Sequence, residues 1–244
     1  VAETPGIVEP GVASLARLNL LVAGLEAQRV RGPQREVAEA ILRIASELDG
    51  LVASDIRRDL NEDRIASGFP QIASDEAIET ELTARRRQIR DVIKDTLNQM
   101  PTERLVALFT DLAELSTDNG ERQAPALVDE LVDMYQVEAH EFLTTEAHNV
   151  SRLVEAARSV AAADRASVSE LVAYLDRVAR NWDKVAQPIQ VSAKARGLMH
   201  EESSAVAFEI RELAVELFNR YDMVGESKRL TDMLGEVFAE VPQV

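Results

Sequence analysis

Residues 200–242 read HEESSAVAFEIRELAVELFNRYDMVGESKRLTDMLGEVFAEVP. Two apolar series flank a short break at Asp222-Met223-Val224-Gly225. The first carries Val206, Ile210, Leu213, Leu217, Phe218 and Tyr221; the second carries Leu230, Met233, Leu234, Val237 and Phe238. Both advance by three or four residues, the spacing of one helix face. Gly225 offers the permissive backbone expected where the first helix stops. Pro242 stands where the second is expected to end. The stretch predicts an antiparallel helical hairpin.

Working upstream, every segment shows the same period. Residues 1–10, with two prolines and a glycine, predict an extended lead-in. A first helix is expected from about Gly11 to Val30, broken by Gly32-Pro33. A second runs from Pro33 to Ser67, carrying Val37, Ile41, Ile44, Leu48, Leu51, Val52, Ile56 and Leu60. Ser74 is expected to cap a third, whose buried side is Ile78, Leu82, Ile89, Ile93, Leu97 and Met100. Pro101 restarts the chain as a shorter helix, and Thr117-Asp118-Asn119-Gly120 is the strongest internal loop signal.

From Pro125 to about Ala163 neither Gly nor Pro interrupts the pattern of Leu127, Leu131, Tyr135, Phe142, Val150, Leu153, Ala157 and Val160. At 1.5 Å per residue this predicts a rod of about 55 Å. Ser167, with Glu170 as a capping box, is expected to open the next helix, and Pro188 to kink it or end it near Gln187. Strand alternation and Asn-Gly hairpin turns are missing. The expected fold is all-α: antiparallel helical hairpins packed side by side, as residues 1–165 forming an elongated bundle and 166–244 a C-terminal module, or as one continuous domain.

The C-terminal hairpin resembles a tetratricopeptide repeat. Counting back from Pro242, Leu217, Tyr221, Gly225 and Leu234 fall where that family places its Leu, Tyr, second Gly and aromatic packing residue. Phe218, Leu230 and Ala214 depart from the first Gly, the small Ala and the Trp. The resemblance implies a unit that needs a neighbour to bury its apolar face, and no second clear copy is written in the chain. The run ALVDELVDMYQVEAHEFLTTEAHNV, followed by NWDKVAQPIQVSAKARG and RELAVELFNRYDM, resembles the helical C-terminal region of uncharacterised bacterial proteins, some of which carry a J-like (DnaJ-like) domain ahead of it. That likeness implies no catalytic residues. The His-Pro-Asp signature of a working J domain is missing, so cochaperone activity does not carry over.

Composition narrows the function. Cysteine is absent, which excludes disulfides and thiolate chemistry. The 27 basic and 43 acidic residues give a net charge of −16, and residues 101–244 carry most of the excess. A field of that sign repels phosphate backbones and argues against nucleic-acid binding. The longest apolar tract, Val12–Ala27, contains Arg17 and is too short and mixed to span a bilayer. No basic-then-apolar leader is visible, and a cytoplasmic location is expected. The start at Val1 suggests a piece of a longer chain.

Few constellations carry chemistry. Glu138-Ala139-His140 and Glu146-Ala147-His148 repeat a tripeptide of metal-binding side chains. Residues two apart on a helix diverge, and His140 and His148 lie about 80° apart round the axis, so the pair reads as solvated surface. His200 can titrate near neutral pH but reads as a surface residue at a helix start. No nucleophile elbow or phosphate-binding glycine loop occurs, and no cofactor is implied. Arg86, Arg90 and Lys94 line up at i, i+4, i+8. Local pairing of Glu81 with Arg85 and of Asp91 with Arg87 is the plain reading of this cluster, and a docking stripe for an acidic partner or membrane surface is the functional one. Trp182, the sole tryptophan, reads as a core anchor whose N–H finds a polar partner, or as an exposed partner contact.

These features predict a non-enzymatic helical interaction or scaffold module with a protein partner. Arg86, Arg90, Lys94, Trp182 and Tyr221 are its candidate partner-binding residues, and a homo-oligomer is compatible. The alternative is a regulatory or substrate-binding domain of a larger chaperone or enzyme assembly with catalysis elsewhere.

Overall fold

A computed structural model of the chain describes residues 10–28 and 33–241. Among these residues there are nine α-helices and no strand, the all-α fold read from the sequence. The lead-in over 1–9, the helix end near Val30, Gly32 and the stop at Pro242 lie outside the described residues. The chain divides into two compact units. One takes the chain up to Leu108 with Pro125–Val128; the other takes Phe109–Ala124 and the chain from Asp129.

The first unit holds α1 (Pro10–Gln28), α2 (Gln34–Asp49), α3 (Ala53–Ala66), α4 (Glu76–Leu97) and the start of α5 (Thr102–Thr117). α1 packs on α2, α3 and α4. Leu18, Leu25, Val37, Ile41, Ile44, Ile56, Ile89 and Ile93 are all buried in it.

The single helix expected from Pro33 to Ser67 is two helices. Gly50 closes α2, donating its N–H to the Ser46 carbonyl at 3.1 Å. Val52 is extended and opens α3. Leu51 and Ala53, on either side of Val52, are both buried. Glycine's poor helix propensity makes position 50 the cheapest place to turn.

Asp75, not Ser74, occupies the N-cap of α4, and its carboxylate is taken by Arg57 of α3. Asn61 pins the α3–α4 loop by two bonds to Ile72, from Nδ2 to the carbonyl at 3.0 Å and from the Ile72 N–H to Oδ1 at 2.6 Å.

The second unit is built on α6 (Ala126–Val160) and α7 (Arg165–Ala195), with α8 (Glu201–Tyr221) and α9 (Val224–Val237). Arg165, the boundary read from the sequence, opens α7 inside this unit. Asp164 caps α7, accepting from the N–H groups of Ala166 and Ser167 at 3.0 and 3.1 Å. Ser167, expected as the cap, instead donates its hydroxyl to Asp164 at 2.6 Å. A carboxylate accepts two donors at once and favours the positive helix end, so it displaces the serine.

α7 does not end at Gln187; it runs through Pro188 to Ala195. Residues 188–193 are all buried, so neighbours enclose this part of the helix on every side.

α8 turns into α9 through Asp222, at φ 51°, and Met223, whose N–H returns to the Leu217 carbonyl at 3.0 Å. The chain therefore turns at the first two residues of the expected Asp222–Gly225 break, and Gly225 does not stop the first helix. Gly225 lies in the first turn of α9. Aspartate tolerates the left-handed conformation, and burial of Met223 fixes the turn two residues earlier.

α8 packs closely on α9, and α9 on α7. Polar contacts join α8 to α6: Ser151 donates to Glu209 at 2.7 Å, and Arg158 pairs with Glu216 at 3.1 Å.

Candidate functional site

The residues singled out in the sequence fall in both units. Arg86, Arg90 and Lys94 lie on α4 in the first unit; Trp182 and Tyr221 lie in the second. Arg86 is exposed and donates to the Leu48 carbonyl at 3.5 Å. Arg90 is half-buried and meets Asp91 at 3.4 Å, and Lys94 is exposed. The pairs expected locally are replaced: Arg85 donates to Asn19 of α1, and Asp91 receives Arg90 rather than Arg87.

Trp182 is fully buried, and its indole N–H donates to the Leu143 carbonyl of α6 at 3.1 Å. Its ring lies 5.7 Å from Phe238 and 6.4 Å from His200. It acts as an anchor between α6 and the α8–α9 hairpin, with no face left for a partner. Leu143 takes the inward position on α6, and Phe142, expected there, is 42% exposed. Tyr221 is half-buried at the end of α8, and its carbonyl accepts from Arg165 at 2.6 Å.

A polar chain runs beside Trp182. Gln190 donates to the Ser203 hydroxyl at 3.0 Å, and Ser203 meets Nδ1 of His200. Burial lowers the His200 pKa and favours the neutral ring, against the opposing pull of Glu202. The serine then donates to Nδ1 and the ring proton sits on Nε2, a tautomer assigned from these partners. His200 is thus a half-buried N-cap residue, held by Ser203 and 6.4 Å from the Trp182 ring, rather than a fully exposed one. Ser203 is fully buried, so this Ser–His contact has no access for a substrate and reads as structural.

Next to it, Asp183 is shifted from the ordinary 3.8 to about 7, by burial first and then by Glu240; Gln190 and Arg180 pull the other way. Glu114 is also raised, by burial, Asp111 and Glu240.

Among the described residues no group of three or more His, Asp or Glu side chains converges as a metal site. His140 pairs with Glu202 at 3.4 Å, and His148 contacts the Thr144 carbonyl at 2.8 Å.

The surface feature that stands out was misassigned from the sequence. Phe218, placed with the buried series, is 54% exposed. It lines up along α8 with Val215 at 52% and Phe208 at 38%. Spacings of seven and three put these side chains on one stripe, opposite the buried Ile210, Leu213 and Leu217. A groove beside it, shared with α9, is lined by Arg211, Val215, Phe218, Thr231 and Leu234. The signal was legible: α8 carries apolar residues on two faces, and a single core can cover only one. No family model, no curated protein and no solved structure matches this chain.

Proposed function

We propose that this chain is a non-enzymatic helical interaction or scaffold module that docks a protein partner on the exposed face of α8 and its groove with α9. The observation that carries the reading is the line of Phe208, Val215 and Phe218, three large apolar side chains left in water along one helix. Isolated exposed apolar residues are ordinary, but a contiguous stripe rimmed by charge marks an interaction surface. Arg211, Glu212, Glu216 and Arg220 supply that rim. The tetratricopeptide-like frame supports the same reading in part: Leu217 and Leu234 are buried between the helices, while Gly225 falls outside the turn.

The test compares the wild-type chain with a Val215→Glu, Phe218→Glu double variant. The wild type should bind a partner that can be purified and reconstituted with it at a fixed stoichiometry. The variant should lose that partner while its circular-dichroism spectrum and melting temperature stay unchanged. Equal binding by both would remove α8 as the docking face.

A further inference from the structure

The chain just beyond α9 is held against α7 at two points. Phe238 packs 5.7 Å from Trp182, and Gln187 donates to the Glu240 carboxylate at 3.2 Å. Val241, the next residue, is buried. Asp183 sits between the two holds. It follows Trp182 directly and lies one helical turn before Gln187, on the same side of α7. Its Oδ1 is buried and accepts no hydrogen bond from the described residues. A buried carboxylate oxygen without a donor is costly when the group is charged and far less so when it carries a proton.

The charges around Asp183 do not relieve it. Glu240 acts on it from the segment after α9, and the same Glu240 acts on Glu114 of α5, beside Asp111. Arg180, on α7 itself, favours the charged form, but it is already engaged by Asp176 at 3.1 Å and by Glu236 at 2.7 Å. The Gln190 amide also favours it, and is committed to Ser203 at 3.0 Å. His200, at the start of α8, reaches this group only through Ser203. Carboxylates from α5, α7 and the final segment therefore gather where that segment is fastened.

We infer that residues 238–241 form a pH-sensitive latch on α7, closed while Asp183 holds a proton and loosened when Asp183 ionises beside Glu240. Opening the latch hydrates Asp183 and takes Glu240 away, so the closed form binds the proton more tightly than the open form. The latch therefore weakens as pH rises from the ordinary carboxylate value of 3.8 to the folded value of about 7, and is level above it. Opening uncovers the face of Trp182 that Phe238 covers. This inference does not rest on the docking reading of α8.

Hydrogen exchange of the 244-residue chain at pH 5 and pH 8, corrected for the intrinsic exchange rate, reads the latch directly. The amides of Phe238 and Val241 donate to the Leu234 and Phe238 carbonyls at 3.0 Å each, and opening frees them. Their protection should fall about tenfold between the two pH values. At both they should exchange ahead of buried α8 amides such as that of Leu213, the mark of a local opening. Asp183→Asn should hold the protection at its pH 5 level throughout. Glu240→Gln keeps an acceptor for Gln187 and should reduce the fall. Circular dichroism checks that each variant is folded. Three results overturn the inference: protection that does not change with pH, a fall that persists undiminished in either variant, or exchange of Phe238 and Val241 only in step with Leu213, which would make the opening global.

Discussion

The hydroxyl of Tyr135 on α6 donates to the main-chain carbonyl of Val185 on α7 at 2.9 Å. Val185 lies three residues before Pro188, next to the Lys184 carbonyl that the proline leaves without its helical donor. A side chain from the neighbouring helix thus supplies a hydrogen bond where the helix's own pattern is disturbed. Phe109 stacks on the tyrosine ring at 4.5 Å and helps hold it there. Burial raises the hydroxyl's pKa, so it remains a donor.

Tyr135→Phe should therefore cost about 0.5–1.5 kcal/mol, the net contribution of one hydrogen bond, since the Val185 carbonyl keeps its place in the α7 ladder. Pro188→Ala restores a backbone donor to the adjacent Lys184 carbonyl, and if the hydroxyl supports the helix beside that gap, Tyr135→Phe should cost less in that background. Urea denaturation of the four proteins in this cycle gives the coupling. Strictly additive effects would show that the hydroxyl does not compensate for the proline.

Asp183 sets a pH dependence. Its folded-state value of about 7 exceeds the ordinary 3.8. As pH rises between these values, the unfolded chain releases the proton first, so stability falls from about pH 4 to 7 and is level above. The loss is on the order of 2–4 kcal/mol, allowing for partial exposure. Asp183→Asn keeps the shape without the charge. It should flatten this slope and be more stable than wild type at pH 8. Melting curves from pH 4 to 9 check this, and a wild-type slope that survives the substitution would assign it to other groups.

How much of this was legible follows from where the deciding information lies. Periodicity located the helices because each must bury one face, and the apolar series of α9 and, apart from Met100 beyond its end, of α4 are buried as spaced. Caps and breaks were legible only where local chemistry had no competitor. Asp118, Asn119 and Gly120 form the expected loop, with φ of 52°, 57° and 85°. At Ser74, Ser167 and Gly225 a neighbour won: Asp75, Asp164 and Asp222 are each a single residue whose advantage depends on the tertiary turn. Trp182 was recognisable as an anchor, but not the Gln190–Ser203–His200 chain beside it, whose members are ten or more residues from Gln190 and meet only through packing.

Gly120 offers a sharper local test. Its φ of 85° is one that L side chains rarely adopt, and a Cβ there would stand 2.8 Å from Cδ of Lys194. Gly197 in the same unit has a φ of 68° with nothing within 4 Å of a Cβ. Gly197→Ala should cost about 1 kcal/mol, the conformational penalty alone. Gly120→Ala should cost more, because Lys194 must also abandon its 2.8 Å pairing with Glu121. Shortening the lysine with Lys194→Ala should narrow the difference between the two glycine substitutions, leaving only the 3.2 Å approach to Cβ of residue 194. If they already match in the wild-type background, the close approach has no energetic consequence.

The last prediction separates a hairpin that completes the core from one that merely hangs on it. Phe238, just beyond α9, is 1% exposed and packs 5.7 Å from Trp182. Tyr221, the hairpin's aromatic at its repeat-like position, is only half-buried. Phe238→Ala should open a cavity against the indole and cost about 3–5 kcal/mol. Tyr221→Ala should cost less than that, since part of its side chain stays in water in the folded chain. The tryptophan reports the difference directly. Its emission should move to the red in Phe238→Ala, as water reaches a ring that the wild type encloses, and stay fixed in Tyr221→Ala. Deleting residues 200–241 removes both Phe238 and His200 from around Trp182, so it should produce the largest red shift and lower the melting temperature. An unchanged emission maximum in the truncated chain would mean that α6 and α7 enclose the indole by themselves, and the hairpin would then be an appendage to a core already complete.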